Sequence, residues 1–242
     1  MLELKNISFS VEKDGKKKEI IKDISLKIED KFVAITGPNG SGKSTLAKLI
    51  LGIEKPTAGK IFFEGKDITG MSITERAKSG ISYAFQQPVK FKGIKVRDLI
   101  SLAAGKELTK EEVCVYLSEV GLCALEYINR EVDGSLSGGE LKRIEIAALL
   151  ARRTKLSILD EPEAGIDLWS FQNLIKVFKD LQKATKGTIL IISHQEKILN
   201  IVDKIVVLEA GQIKHMGSKE EVLPDLTLEP QDCKQSCEHF AM

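Results

Sequence analysis

Gly37-Pro38-Asn39-Gly40-Ser41-Gly42-Lys43-Ser44 stands directly after the apolar run Phe32-Val33-Ala34-Ile35 and before residues that read as a helix over 44–52, closed by Gly52. A short apolar run that ends in a glycine-rich loop suits a buried parallel strand. The glycines let backbone N–H groups turn inward, at angles that a side chain would block. Lys43 supplies a point charge for β- and γ-phosphates, Ser44 offers a hydroxyl to Mg²⁺, and the following helix adds its positive N-terminus. A merely structural turn does not need Lys and Ser at those places. The stretch predicts a triphosphate site at a strand–helix junction of an α/β fold.

The rest of the chain extends that pattern. Upstream, Leu2, Leu4 and Ile7, a turn at Lys13-Asp14-Gly15, and alternating Ile20, Ile24, Leu26 and Ile28 read as an antiparallel pair with one buried face. Downstream, strands are expected at 60–64 and 80–85, with Ser72-x-x-Glu75 as a capping box between them. From about Gln86 to Leu136 the apolar spacing turns helical, with a second capping box at Thr109-x-x-Glu112 and a face of Val113, Leu117 and Val120. Helices at 138–153 and 168–185 and strands at 155–160, 188–193 and 203–209 complete an alternating order, which implies a mainly parallel sheet covered on both faces. There is no internal repeat. Residues 224–242 are polar, contain two prolines, and read as a loose tail.

Leu156-Ser157-Ile158-Leu159-Asp160-Glu161 is a buried strand ending in two carboxylates. Paired with the phosphate loop, Asp160 at the strand tip can hold a metal through water. Glu161, pointing the other way, can polarise an attacking water.

Composition narrows the partners. Lys plus Arg number 36 and Asp plus Glu 35, a formal net charge of +1. Neither nucleic acid nor acidic lipid is favoured by that balance, and Lys16-Lys17-Lys18 reads as a solvated turn. No stretch approaches the roughly 18 apolar residues of a membrane helix. The start, Met1–Ile7, carries Glu3 and Lys5 and does not read as a signal peptide, so a cytoplasmic protein without direct membrane insertion is expected. The four cysteines do not suggest a disulfide framework. Cys114 and Cys123 read as packing residues. Cys233, Cys237 and His239 place three soft ligands in the tail, but their spacing matches no standard zinc pattern.

Leu136-Ser137-Gly138-Gly139-Glu140 resembles the signature sequence of the ATP-binding-cassette family. Ser137 and the Gly138–Gly139 amides lie at a helix start, an anion-binding geometry. The remaining motifs of that family follow in order. Phe85-Gln86 resembles the Q-loop, Glu163-Ala164-Gly165-Ile166-Asp167 the D-loop, and His194 the switch histidine. The resemblance covers residues 1–220 and implies a P-loop core sheet, an N-terminal antiparallel β subdomain and an inserted helical subdomain at about 87–137, all within an ATPase domain of residues 1–223. It also implies ATP and Mg²⁺ as ligands. ATP would be held by Gly37 to Ser44 and Thr45, with Ser44, Gln86 and Asp160 (through water) toward Mg²⁺. Glu161, Gln86 and His194 would be catalytic. Ser137, Gly138, Gly139 and Glu140 would close on ATP bound to the opposite subunit, and Asp167 would cross the interface. With one copy of each motif, the chain would need a second cassette, most simply a copy of itself, in an ATP-dependent homodimer.

The family's adenine-stacking aromatic is replaced here by Val11, which implies modest ATP affinity and weak base selectivity. Val11, the segment Ala84–Val89 with Phe91–Ile94, and Glu140 and Glu145 within Gly138–Ile146 are similar to the soluble Suf-type cassettes (SufC) of iron–sulfur cluster assembly. Transporter motors usually carry Gln and Ala at the positions of Glu140 and Glu145. That resemblance implies a SufB/SufD-like scaffold as partner; the alternative is a membrane permease. Glu161 and His194 argue against a non-hydrolysing sensor, and the lack of a long heptad region argues against a chromosome-maintenance cassette.

Overall fold

The computed structural model describes residues 1–13, 15–87, 89–184 and 187–228. The expected hairpin opens the chain, as β1 (Leu2–Lys13) and β2 (Lys16–Ile28), paired antiparallel from Leu2↔Ile28 to Lys13↔Lys16. β3 (Phe32–Thr36) is buried at every position, as a strand covered on both faces must be. After the phosphate loop come α1 (Lys43–Leu51), β4 (Ala58–Phe63), β5 (Lys66–Asp67), α2 (Ile73–Lys78) and β6 (Ile81–Ala84). β4 and β5 join the first hairpin in a four-stranded sheet of order β2-β1-β4-β5.

The helical spacing expected from about Gln86 to Leu136 is met by three helices, and the structure adds a ribbon that the spacing did not show. α3 (Val96–Ala104), α4 (Lys110–Glu119) and α5 (Ala124–Tyr127) are framed by a two-stranded ribbon, β7 (Phe91–Lys95) with β8 (Glu131–Val132). Gly93, at φ +80, supplies backbone freedom inside β7, and Val96 N–H donates to Arg130 O at 2.9 Å to close the ribbon. The insert is thus gathered back to its own beginning before α6 (Gly138–Arg152) starts.

β9 (Leu156–Asp160), α7 (Leu168–Ala184), β10 (Thr188–Ile192), α8 (Glu196–Leu199), β11 (Lys204–Glu209), β12 (Gln212–Ser218) and α9 (Lys219–Leu228) complete the fold. The core sheet has the order β12-β11-β3-β10-β9-β6, parallel except for β12 at one edge. Side-chain alternation splits its strands between two cores. Phe32, Ala34, Ile189 and Ile191 face one side with α6 and the helical insert. Val33, Ile35, Leu190 and Ile192 face the other, with α1 and the N-terminal sheet. The carboxyl ends of β3, β6, β9 and β10 therefore lie along one rim, where open parallel sheets bind ligands.

Both expected capping boxes are present, at Ser72/Glu75 and Thr109/Glu112. Residues 224–228, expected within the tail, belong to α9, which runs through Pro224 to Leu228. Glu221 accepts from Ser218 N–H at 2.8 Å, and fully buried Val222 anchors the helix. Cys233, Cys237 and His239 lie outside the described residues. Cys114 is half-buried against the core as expected, but Cys123 is exposed at the start of α5, and both are free thiols. No helix among the described residues is long and apolar enough to cross a membrane.

Candidate active site

The phosphate loop spans from the end of β3 to the start of α1. Gly37 has φ +136, and a Cβ there would fall 1.9 Å from the Leu208 carbonyl oxygen, so only glycine fits. Gly42, at φ +103, ends the loop against Ile21 and opens α1. Lys43 is the first helical residue, and its ammonium donates to Gly37 O at 2.8 Å and to Pro38 O at 2.9 Å. The side chain spans its own loop and is nearly fully buried. Burial lowers its pKa, while Glu161 and Asp160 pull the other way. Nucleotide oxygens arriving in the loop would replace the two carbonyls as partners of that charge. Ser41 Oγ, buried in the same loop, has no partner.

β9 brings the acidic pair to the next place along the rim. Asp160 is 4% exposed, so each oxygen needs a partner, and each has one. Ser44 Oγ donates to Oδ1 at 3.2 Å and the Tyr83 hydroxyl donates to Oδ2 at 2.8 Å. Burial and the neighbouring carboxylate of Asp160 raise the Tyr83 phenol strongly. Glu161, one residue on, has φ +42, an uncommon region for a non-glycine residue. A strained backbone of this kind costs roughly 1–3 kcal/mol and collects at functional sites. Glu161 N–H is fixed on Ile192 O at 2.9 Å. Its carboxylate accepts from Gln86 Nε2 at 2.6 Å. The structure therefore brings Lys43, Ser44, Asp160, Glu161 and Gln86 together, as the motifs implied.

His194 is exposed just past β10 and lines a groove of about 850 Å³ that Gly37, Pro38 and Asn39 also line. Sequence reasoning missed what holds it there. Ser193, fully buried, donates a close hydrogen bond to Glu163 Oε1 and accepts from Gln195 N–H at 3.0 Å. Glu163 Oε2 is buried without a partner, and burial raises this carboxyl above the usual range. The D-loop acid is thus joined to the turn that carries His194. The signal in the sequence was the type of residue: an acid flanked by Pro162 and Ala164 in a tight loop needs a donor.

The signature stands apart from this cluster. Ser137 caps α6, its hydroxyl accepting from Glu140 N–H at 3.3 Å while Glu140 Oε2 accepts from Ser137 N–H at 2.7 Å. Glu140 Oε1 also takes a close bond from Tyr127 OH, and Arg130 lies at 3.9 Å. Burial works against its charge, but the bonds from Tyr127 and Ser137 outweigh it and the carboxyl is lowered. Among the described residues, Ser137–Glu140 make no hydrogen bond to Gly37–Ser44. Gly138 instead lies beside Gly165 of the D-loop, where an added Cβ would sit 3.6 Å from Gly165 O. The Asp167 backbone carbonyl starts α7 by accepting from Phe171 N–H at 2.9 Å. Thr45 is half-buried in α1, and Val11 is 36% exposed on β1.

The sequence profile of the ABC transporter family matches residues 21–164. An uncharacterized ABC transporter ATP-binding protein of Methanocaldococcus jannaschii is 42% identical over 214 residues, 85% of each chain. The spermidine/putrescine import ATP-binding protein PotA of Mesoplasma florum is 35% identical over 229 residues, and this chain spans 63% of its length. Among solved structures, the dimeric ATP-binding cassette MJ0796 bound to ADP and Pi matches with a TM-score of 0.80 over 90% of this chain and 99% of that one, at an identity of 23% that speaks for the fold alone. The profile takes in more than half of the 242 residues, including the loop of Lys43 and Ser44, Gln86 after β6, and Asp160 and Glu161 at the end of β9, and the chain belongs to the ATP-binding-cassette family, whose members bind and hydrolyse ATP.

Proposed function

We propose that this chain is the ATP-hydrolysing subunit of a larger machine, closing on ATP as a pair of cassettes and driving a separate membrane permease. The observation that carries this is an apolar groove of about 240 Å³ beside the Q-loop, lined by Tyr83, Phe85, Val89, Phe91, Leu141 and Leu149. Phe85 is 47% exposed there, Val89 44% and Phe91 36%, while the adjoining Gln86 touches Glu161. A partner seated in the groove would lie one residue from the catalytic carboxylate. The role named for the Mesoplasma florum relative supports a permease as that partner.

Within the site, Lys43 and the loop amides hold the phosphates. Glu161, steadied by Gln86, polarises water, and His194 faces the terminal phosphate from the other side. The separation of signature from phosphate loop within one chain supports a second copy supplying Ser137, Gly138 and Gly139 across the interface, beside Asp167. Glu140, turned back onto Ser137, Tyr127 and Arg130, would shape that surface from behind. Magnesium suits the hard oxygen donors present, the Ser44 hydroxyl, the Asp160 carboxylate and the Gln86 amide oxygen, and would neutralise phosphate charge when bound.

A second reading, a Suf-type ATPase acting on a SufB/SufD-like scaffold, rests on the sequence resemblance at Glu140 and Glu145. Glu140 and Glu145, which set the chain apart from usual transporter motors in sequence, both make structural bonds here rather than lying free on the surface. Steady-state ATPase of the full chain with Lys43→Ala as control tests the common part; parental turnover in that variant would refute it. Site-specific photo-crosslinking from Val89, in cells, then separates the readings. Cross-links to a multi-span membrane protein support the permease, and cross-links to a soluble scaffold refute it.

A further inference from the structure

Lys142 and Glu145 lie one turn apart on α6, and together they hold a single residue of the Q-loop by its two flanking peptides. The Lys142 ammonium donates a close hydrogen bond to the Phe85 carbonyl and pairs with Glu145 Oε2 at 2.8 Å. Glu145 Oε1 accepts from the Phe85 N–H at 3.1 Å. Both backbone polar groups of Phe85, the first residue past β6, are therefore bound by one ion pair from the signature helix. The Lys142 side chain is 2% exposed and that of Glu145 20%.

An ion pair placed so deep is not explained by stability alone. Removing two charges from water costs more than their attraction returns unless the remaining donors and acceptors are satisfied. Here the N–H and the C=O of Phe85 satisfy them, which gives the pair a direction. It fixes the plane of the peptide immediately before Gln86, whose side chain reaches Glu161 at 2.6 Å. The same residue carries a ring packed edge-to-face on Tyr83, with centroids 4.7 Å apart, and Tyr83 holds Asp160. Neither Lys142 nor Glu145 touches the phosphate loop in any recorded bond among the described residues.

We propose that Lys142 and Glu145 are positioning residues, clamping the Phe85 backbone to α6 so that the signature helix and the Q-loop move as one body. The clamp rests on the role given above to Gln86. Any displacement of α6, whether driven by the partner cassette or by a protein in the apolar groove, is delivered to Gln86 and hence to Glu161.

The test uses the full chain with two variants. Glu145→Ala removes the acceptor for Phe85 N–H. Lys142→Glu combined with Glu145→Lys keeps an ion pair but sets an acceptor against the carbonyl and a donor against the N–H. The readouts are amide exchange at Phe85, kcat, and KM for ATP. A lost hydrogen bond to a charged group predicts exchange faster by about tenfold or more in Glu145→Ala. We expect kcat to fall about tenfold while KM stays within about twofold, the pattern for a group that acts only in the transition state. The reversed pair should match Glu145→Ala and not the parent. Parental exchange and kcat in Glu145→Ala overturn the proposal, and so does their restoration by the reversed pair, since an ion pair of either polarity would then suffice. Gln86→Ala made alongside separates the two ideas. Parental turnover there removes the role of Gln86 and the positioning proposal with it. Reduced turnover there, with parental turnover in Glu145→Ala, overturns the positioning proposal alone.

Discussion

Tyr83→Phe removes one oxygen and leaves the edge-to-face packing on Phe85 in place, so it isolates the bond to Asp160. That bond is 2.8 Å long, and its acceptor is a carboxylate only 4% exposed. Hydrogen bonds to charged groups contribute about 1.5–3 kcal/mol. For a chain of this length each kcal/mol moves the melting temperature by about 2–4 °C, so a fall of about 3–12 °C is expected. Among the described residues Asp160 would keep Ser44 as its side-chain hydrogen-bond partner, at 3.2 Å, and would no longer be held from both sides. If half of the lost energy is felt in the transition state, kcat falls about four- to twelvefold. Thermal unfolding followed by circular dichroism, and phosphate release at saturating ATP, measure the two effects. A pH series adds a sign. The Tyr83 phenol is raised by burial first and then by Asp160, so the folded state resists its ionisation. Its contribution is complete below the unfolded phenol pKa of about 10 and declines as pH rises beyond it. The stability advantage of the parent over Tyr83→Phe should therefore shrink above that pH. A variant with parental melting temperature and parental kcat would refute the reasoning, because water would then serve Asp160 as well as the phenol does.

Three further outcomes are expected. Glu163→Gln should raise the melting temperature at neutral pH, since burial disfavours the charged form, and the gain should vanish below the unfolded carboxyl pKa of about 4.3, where Glu163 is protonated in both states; a loss at neutral pH would contradict this. Glu161→Gln should trap an ATP-bound pair of chains on a sizing column by removing the group that polarises water, and a monomer with ATP would count against that role. If Val11 takes the place of the family's adenine-stacking aromatic, as the resemblance implies, dissociation constants for ATP and GTP should differ by less than about tenfold, as stacking contributes only about 1–3 kcal/mol where it exists; a strong ATP preference would point to another adenine platform.

Much of the mechanism was legible along the chain because its chemistry is local. The loop from Gly37 to Ser44 needs its glycines for backbone angles and close approach, and Lys43 and Ser44 follow at fixed spacing. β3 and β9 are read as buried strands because a strand covered on both faces is apolar at every position. The capping boxes at Ser72 and Thr109 are decided within four residues, as are the helix starts they mark. The ribbon of β7 and β8 could not be read in this way. Its two halves lie far apart in sequence, and the intervening helices dominated the periodicity.

The amino-acid sequence by itself determined which groups gather along the rim of the sheet, because contiguous motifs carry their own backbone geometry. Only the tertiary structure decided what supports those groups. Tyr83 on Asp160, Glu163 on Ser193, and the pair of Lys142 and Glu145 on Phe85 each join segments from different elements of the chain. A buried polar atom must find its partner wherever the packing of sheet and helices brings one, and no spacing rule along the chain encodes that place.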